Sequence, residues 1–287
     1  MRKIYFSVGV AAFLGVHGLM LAKIEPVYTF FFVFVWWSYI ILVDSFIFWK
    51  RGFSLFSQLG TKILMLVFCS YIFWEFFELI NSRLANWDYV SSPFGEVVFN
   101  NFAAKISFKI LAFGSVLPVI LETHNLLEFV GLGKRLKFLG WEKTDKFLKW
   151  EWWGRPSYLW IIVGIAMLAA ALFWTTYLFW LVWIALILIL DPVVERSGGR
   201  SIFSELREGN VRTFYRLLLT GLVCGVIWEG WNYWAGLKWV YEVPFVGGWK
   251  IFEMPVLGYP GFAVFAVECF LFYQWFECRW CRKNRRP

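Results

Sequence analysis

Polar and charged residues in this chain are gathered into short stretches that separate long apolar runs. The runs cover about residues 4–22, 27–49, 61–80, 108–130, 157–173, 174–190, 212–234 and 255–276. About 20 consecutive apolar residues make a helix long enough to cross the hydrocarbon core of a bilayer. The pattern therefore predicts about eight transmembrane helices. Arg2-Lys3 ahead of the first run also fits a signal peptide, but the run lacks a convincing small-residue cleavage site, and a span is expected.

The pattern also repeats. Asp44 is followed ten residues on by Ser54-Leu55-Phe56-Ser57, and Asp191 at the same spacing by Ser201-Ile202-Phe203-Ser204. Cys69 leads into Trp74-Glu75 and Glu78, and Cys224 into Trp228-Glu229 and Asn232. Trp87-Asp88-Tyr89 is echoed by Trp239-Val240-Tyr241, and Gly114 before Glu122 by Gly258 before Glu268. Four ordered matches imply a tandem duplication. The first repeat is 1–130, a linker covers 131–156, and the second repeat with a basic tail is 157–287. Four spans per copy return the chain to the same side, so the expected fold is an all-α polytopic membrane protein of two parallel four-helix repeats.

Composition narrows the class. The chain is 60% hydrophobic and 23% aromatic, with mean hydropathy +0.61, which excludes an ordinary soluble domain. The net charge of +8 reads as topology. With Met1 inside, the inner segments hold 21 of the 28 Lys and Arg residues. The outer loops hold Lys23, Arg83, Lys238 and Lys250, with Lys105 and Lys109 near the outer interface. This asymmetry places both termini in the cytoplasm of a bacterial inner membrane. Basic residues spread along a membrane face fit anionic lipid headgroups and exclude nucleic acid as the partner. The linker 131–156 reads either as an interfacial helix or as a basic, topology-fixing loop. A lone Cys278-x-x-Cys281, with no second pair and no nearby His, does not make a metal site.

The candidate chemistry lies in acids inside the runs, where ionisable groups are expensive. Glu75 and Glu78 share a helical face in the third run; Glu122, with His124 beyond it, lies in the fourth. Glu229 and Asn232 share a face in the seventh run, and Glu268 lies in the eighth. Read by the Trp-acid match, the copies differ: Glu75 with Glu78 in one, Glu229 with Asn232 in the other. Buried acids also bind helices together, but five at matching places point to a shared polar centre. Asp44 and Asp191 read as helix caps or as partners of Arg51 and Arg200. Trp74, Trp228 and Trp231 surround the acids. An acid within aromatic rings is suited to protonating an olefin and stabilising the resulting cation. No Gly-rich nucleotide loop, His-Glu-x-x-His or serine-hydrolase elbow is present, and there are only two histidines. No cofactor or metal is expected.

Trp74-Glu75, Trp87-x-Tyr89 and Pro118-x-x-x-Glu122, with Trp228-Glu229, Trp239-x-Tyr241 and Pro260 ahead of Glu268, resemble the repeat of the small membrane lycopene cyclases of bacteria and fungi. Related carotenoid hydratases and membrane terpene cyclases share that plan. The chain departs from them in lacking a tight Pro-x-Glu-Glu and in having one more span per copy. The resemblance implies an enzyme that carries out redox-neutral, proton-initiated cyclisation or hydration of an isoprenoid or carotenoid taken from the bilayer. Glu75, Glu122, Glu229 and Glu268 are the carried-over acids. The other reading is a proton-coupled carrier of a lipid or small hydrophobic molecule, with helices broken at Gly114, Pro118, Gly258 and Pro260.

Overall fold

The structure, a computed structural model, describes residues 1–132 and 157–281. Almost all of the 131–156 linker therefore lies outside the described residues. The chain is all-α apart from short two-stranded ribbons. Its elements are α1 (Arg2–Leu21), α2 (Phe31–Arg51), α3 (Leu55–Leu59), α4 (Ile63–Leu84), β1 (Trp87–Val90), α5 (Pro93–Phe99), α6 (Phe102–Gly114) and α7 (Val116–Phe129). They continue as α8 (Ser157–Phe173), α9 (Thr175–Leu178), α10 (Leu181–Arg196), α11 (Ile202–Arg207) and α12 (Arg212–Trp234). Strands β2 (Lys238–Tyr241), β3 (Lys250–Ile251) and β4 (Met254–Pro255) precede α13 (Tyr259–Phe276).

Five helical stretches among the described residues are long and apolar enough to cross a membrane: Arg2–Leu21, Phe31–Arg51, Leu55–Leu84, Phe102–Phe129 and Val256–Arg279. They are compatible with an integral membrane protein. The other three apolar runs also form helices. Of these, α8 and α10 are short, with 17 and 16 residues, and α12 carries Arg212, Arg216 and Glu229 among its apolar residues.

The chain divides into two compact units that cut across the repeats. One comprises Met1–Leu126 with Cys224–Tyr259; the other comprises Leu127–Val223 with Pro260–Pro287. In the first unit α1 packs along α2. A Cβ on Gly9 would lie 2.8 Å from Ser45 Oγ and 3.0 Å from Leu42 Cα, so only glycine lets these helices approach so closely. Met20, Val27, Phe31, Val35 and Ala235 form a core cluster there. In the second unit Val194, Ile202, Leu206, Leu217, Val267, Phe270 and Leu271 pack together. Gly221 lies directly against the Phe262 carbonyl, where a side chain would collide.

The Asp…Ser-x-Phe-Ser echo is a capping device in both copies. Ser54 caps α3 by accepting from the Ser57 amide, and Ser201 caps α11 by accepting from the Ser204 amide. The buried aspartate braces each cap. Asp44 accepts from Ser54 Oγ at 3.0 Å and the Phe56 amide at 2.9 Å. Asp191 accepts from Ser201 Oγ and the Ile202 amide, both at 2.6 Å, and from the Phe203 amide at 3.3 Å. The amides at the start of a helix have no partner within it, and away from water the acceptor must come from elsewhere in the chain. Capping, one of the roles expected of both aspartates, is what the geometry contains.

The long helix of the fourth run breaks between Gly114 and Val116. Ser70 Oγ of α4 repairs the break, donating to the Phe113 carbonyl at 2.6 Å and accepting from the Leu117 amide at 3.0 Å. Pro118 is the third residue of α7 and Pro260 the second of α13, where a missing N–H costs nothing.

Asp191→Ala removes three hydrogen bonds at a buried cap. At about 1 kcal/mol per bond, detergent-solubilised protein is expected to lose roughly 3 kcal/mol of stability. Unfolding by titration with sodium dodecyl sulfate, compared with wild type, measures this.

Candidate functional site

The site of the first unit is built on one ribbon. β1 pairs antiparallel with β2, in the register Trp87 to Tyr241, Asp88 to Val240, Tyr89 to Trp239 and Val90 to Lys238. The two Trp-x-Tyr elements thus pair with each other about a local two-fold. Facing residues in a ribbon share a side, as do residues two apart. Trp87, Tyr89, Trp239 and Tyr241 therefore project from one face. Backbone bonds extend the ribbon at both ends, from the Glu242 amide to the Asn86 carbonyl at 2.9 Å and from the Ser92 amide to the Gly236 carbonyl at 2.8 Å.

Each strand is seated on its preceding helix by an asparagine. Asn81 donates to the Trp87 carbonyl at 2.7 Å and accepts from the Trp87 amide at 3.2 Å. Asn232 does the same for Trp239, at 2.8 Å and 2.9 Å. The side-chain amide acts as a strand partner would. One turn earlier on each helix is a glutamate that takes the side-chain donors. Glu78 Oε1 accepts from Tyr89 hydroxyl at 2.6 Å, Trp74 indole at 2.9 Å and Trp87 indole at 3.3 Å. Glu229 Oε1 accepts from Tyr241 hydroxyl at 2.8 Å and Trp239 indole at 3.4 Å, and that indole also reaches Tyr241 hydroxyl at 2.8 Å.

This bonding corrects the alignment of the copies. The counterpart of Glu229 is Glu78, three residues beyond Glu75, and the counterpart of Asn232 is Asn81. The repeated element is Glu-x-x-Asn followed by Trp-x-Tyr, with one residue more before the tryptophan in the second copy. The copies are alike here, contrary to the difference expected from the Trp-acid match. The clues were the shared Glu-x-x-Asn spacing and the nearly equal distance to Trp-x-Tyr.

The other candidate residues separate by environment. Glu75 is a quarter exposed and pairs with Lys109 at 2.6 Å, away from the Glu78 donors. Glu122 is fully buried, with neither carboxylate oxygen accepting a hydrogen bond, and the carboxylate acting on it is Asp44. His124 is buried on the same helix. Glu268, also fully buried with neither oxygen accepting a bond, belongs to the second unit. Asn232 has its amide occupied by the Trp239 backbone and positions the strand instead of facing a ligand. The five acids thus do not form one cluster among the described contacts; Glu78 and Glu229 are the two that the ribbon brings together.

The Trp239 that bonds Glu229 belongs to an aromatic cluster gathered on Trp228. Trp228 packs against Phe32, Trp36, Trp74 and Trp239, with centroids 5.1, 5.5, 5.7 and 6.0 Å away. Trp231 packs 4.6 Å from Trp36 and 5.9 Å from His17. Two polar atoms in this setting are buried without a hydrogen-bond partner: Oε2 of Glu229, an acceptor, and Nε1 of Trp36, a donor. Phe32 and Trp36 were not legible as site residues, because in an aromatic-rich chain nothing in the sequence distinguishes them from packing residues; Tyr89 and Tyr241 were visible only as the repeated Trp-x-Tyr element. No group of three or more His, Cys, Asp or Glu among the described residues is arranged to hold a metal ion.

Asn81→Ala and Asn232→Ala are each expected to release a strand without unfolding the helices. Hydrogen exchange at residues 87–90 and 238–241 should accelerate at least about tenfold, the equivalent of one net hydrogen bond or more. Burial first, and then the Glu229 carboxylate, hold the Tyr241 phenol well above its ordinary range. A raised folded-state value gives stability that is complete below the unfolded value, near 10, and is lost as pH climbs past it. The alkaline loss of stability above about pH 10 should accordingly be shallower in Tyr241→Phe than in wild type, measured by the same denaturation at stepped pH.

Comparison with protein-family models, curated proteins and solved structures finds no match to this chain, so function is read from the site's own chemistry.

Proposed function

We propose that this protein is an intramembrane enzyme that performs redox-neutral, proton-initiated cyclisation or hydration on an isoprenoid or carotenoid drawn from the bilayer. The observation that carries the reading is Glu229: one oxygen is fixed by Tyr241 and Trp239, the other is buried without a partner, and the Trp239 that bonds it packs against Trp228 in an aromatic cluster. A carboxylic acid held this way presents its free oxygen to an olefin. The proton adds to one carbon of the double bond, and the other carbon becomes cationic. The faces of Trp228, Trp74 and Phe32 stabilise that cation. Ring closure forms a carbon–carbon bond and returns a proton to a carboxylate; hydration instead adds water and releases its proton. Glu78, the counterpart of Glu229 on the same ribbon, is the acid assigned to take the proton back. Trp36 N–H is a ready donor to a water or a substrate oxygen.

In this reading eight helices cross the membrane as two parallel repeats, with both termini in the cytoplasm of a bacterial inner membrane. The likeness to the membrane lycopene cyclases supports the reaction class, and the equivalence of Glu78 and Glu229 supports one site served by both copies. A carrier of hydrophobic molecules is the second reading. The α6–α7 break favours it, since an interrupted helix is a common device for moving a ligand.

The test is mass spectrometry of lipid and pigment extracts from a host making C30 to C50 isoprenoids. Wild type is expected to yield a product of unchanged mass or of mass plus water. Glu229→Gln should lower that yield by about 10²-fold or more, the usual contribution of a general acid. Product retained in well-folded Glu229→Gln would remove Glu229 from the chemistry. No product from wild type, with a hydrophobic ligand copurifying unchanged, would favour the carrier.

A further inference from the structure

Lys105 and Lys109 lie near the outer ends of the spans, against the inward bias of the other cations. They are one turn apart on one face of α6. At 1.5 Å per residue they stand about 5 and 10 Å along the helix from Phe102, at the depth where a lysine reaches up to headgroups. Lys105 is exposed. Lys109 Nζ is 2.6 Å from Glu75 Oε1, with the two side chains 31% and 27% exposed. Glu75 occupies the outward stripe of α4 that also presents Leu64, Phe68, Ile72 and Leu79. A charged pair set in an apolar stripe facing lipid is costly, and apolar contact would join α4 to α6 equally well. Two ammonium groups against one carboxylate leave a net positive charge.

The same cluster touches the aromatic site. Lys109 Nζ is 5.4 Å from the Phe113 ring centroid, and Phe113 lies 6.0 Å from Trp74. A lipid whose head rests on Lys105 and Lys109 therefore runs its chain past Phe113 toward Trp74 and Trp228.

We infer that Lys105 and Lys109, with Glu75 as the anion that a phosphate displaces from Lys109, form a recognition site for the phosphate head of an isoprenoid substrate entering from the outer leaflet. Phosphate oxygens accept charge-assisted bonds from both ammonium groups, and the anionic head sets the tail in register with the rings. The isoprenoid tail rests on the function proposed above; the phosphate site rests on the lysines. It also makes Glu75 the resting partner of Lys109 in place of a proton donor.

The test is equilibrium binding, without turnover, by native mass spectrometry of the detergent-solubilised full chain. The probes are farnesyl phosphate, farnesol and dioleoyl phosphatidylglycerol. Wild type is expected to bind farnesyl phosphate about tenfold or more tightly than farnesol, the scale of one charge-assisted bond, with the preference shrinking as salt is raised. Lys105→Gln/Lys109→Gln should reduce the preference to within about twofold. Lys109→Arg should keep it, and Glu75→Gln, which removes the carboxylate paired with Lys109, should keep or increase it.

Preference surviving in the double lysine variant, or lost in Glu75→Gln, would overturn the inference. So would phosphatidylglycerol binding as tightly as farnesyl phosphate, which would mark a general lipid contact. Should the double variant not fold, Lys105→Gln and Lys109→Arg carry the test. Phosphate preference without any product leaves this inference standing and removes the chemistry. Product made from hydrocarbons without phosphate preference does the reverse.

Discussion

A hydrogen-bond donor shut away from water has to be answered from within the chain, and the first unit is arranged around that demand. Two tryptophan indoles and two tyrosine hydroxyls project from one face of a short ribbon, and two glutamates collect them. The ribbon is held by two asparagines that saturate the backbone of its tryptophans. Leaving any of these groups unanswered costs more than the bond itself contributes. The geometry of the acids therefore follows from the donors placed over them. Oε2 of Glu229 and the N–H of Trp36 are among the buried polar atoms left without a hydrogen-bond partner.

The same demand governs the two aspartate-braced caps and the broken helix. Asp44 and Asp191 brace the first turns of α3 and α11, and Ser70 closes the gap that Ser115 opens between α6 and α7. These devices fix structure in fully satisfied groups and leave nothing over for a ligand. Glu122 and Glu268 differ from them in that neither oxygen accepts a bond.

Much of the fold was legible because its signals are long. Each of the eight apolar runs is helical, and the Asp…Ser-x-Phe-Ser echo is a cap in both copies. The site was legible in its residue types but not in its pairings. Matching Trp74-Glu75 to Trp228-Glu229 follows letters, whereas the molecule matches Glu78 to Glu229, because a helix and a strand are tied at Asn81 and Asn232. That tie is a contact between side chain and backbone, and hydropathy carries no trace of it. Glu75 illustrates the same limit. Within its apolar run it looks like a buried acid, but helical phase sets it on the stripe of Phe68 and Ile72, where it meets Lys109.

The ribbon's register has a consequence for assembly. Exchanging its two strands maps the pairing onto itself, with Trp87 opposite Tyr241 and Trp239 opposite Tyr89. An interface of that kind is isologous, the form by which identical subunits close into a two-fold dimer. The covalent connection between the repeats is thus not what the ribbon's geometry depends on. A half-length chain bearing Glu-x-x-Asn and Trp-x-Tyr meets the same pairing rule with a second copy of itself. What the single chain adds is the freedom for one half to change without the other, as at Trp74, whose counterpart in the second repeat is a glycine.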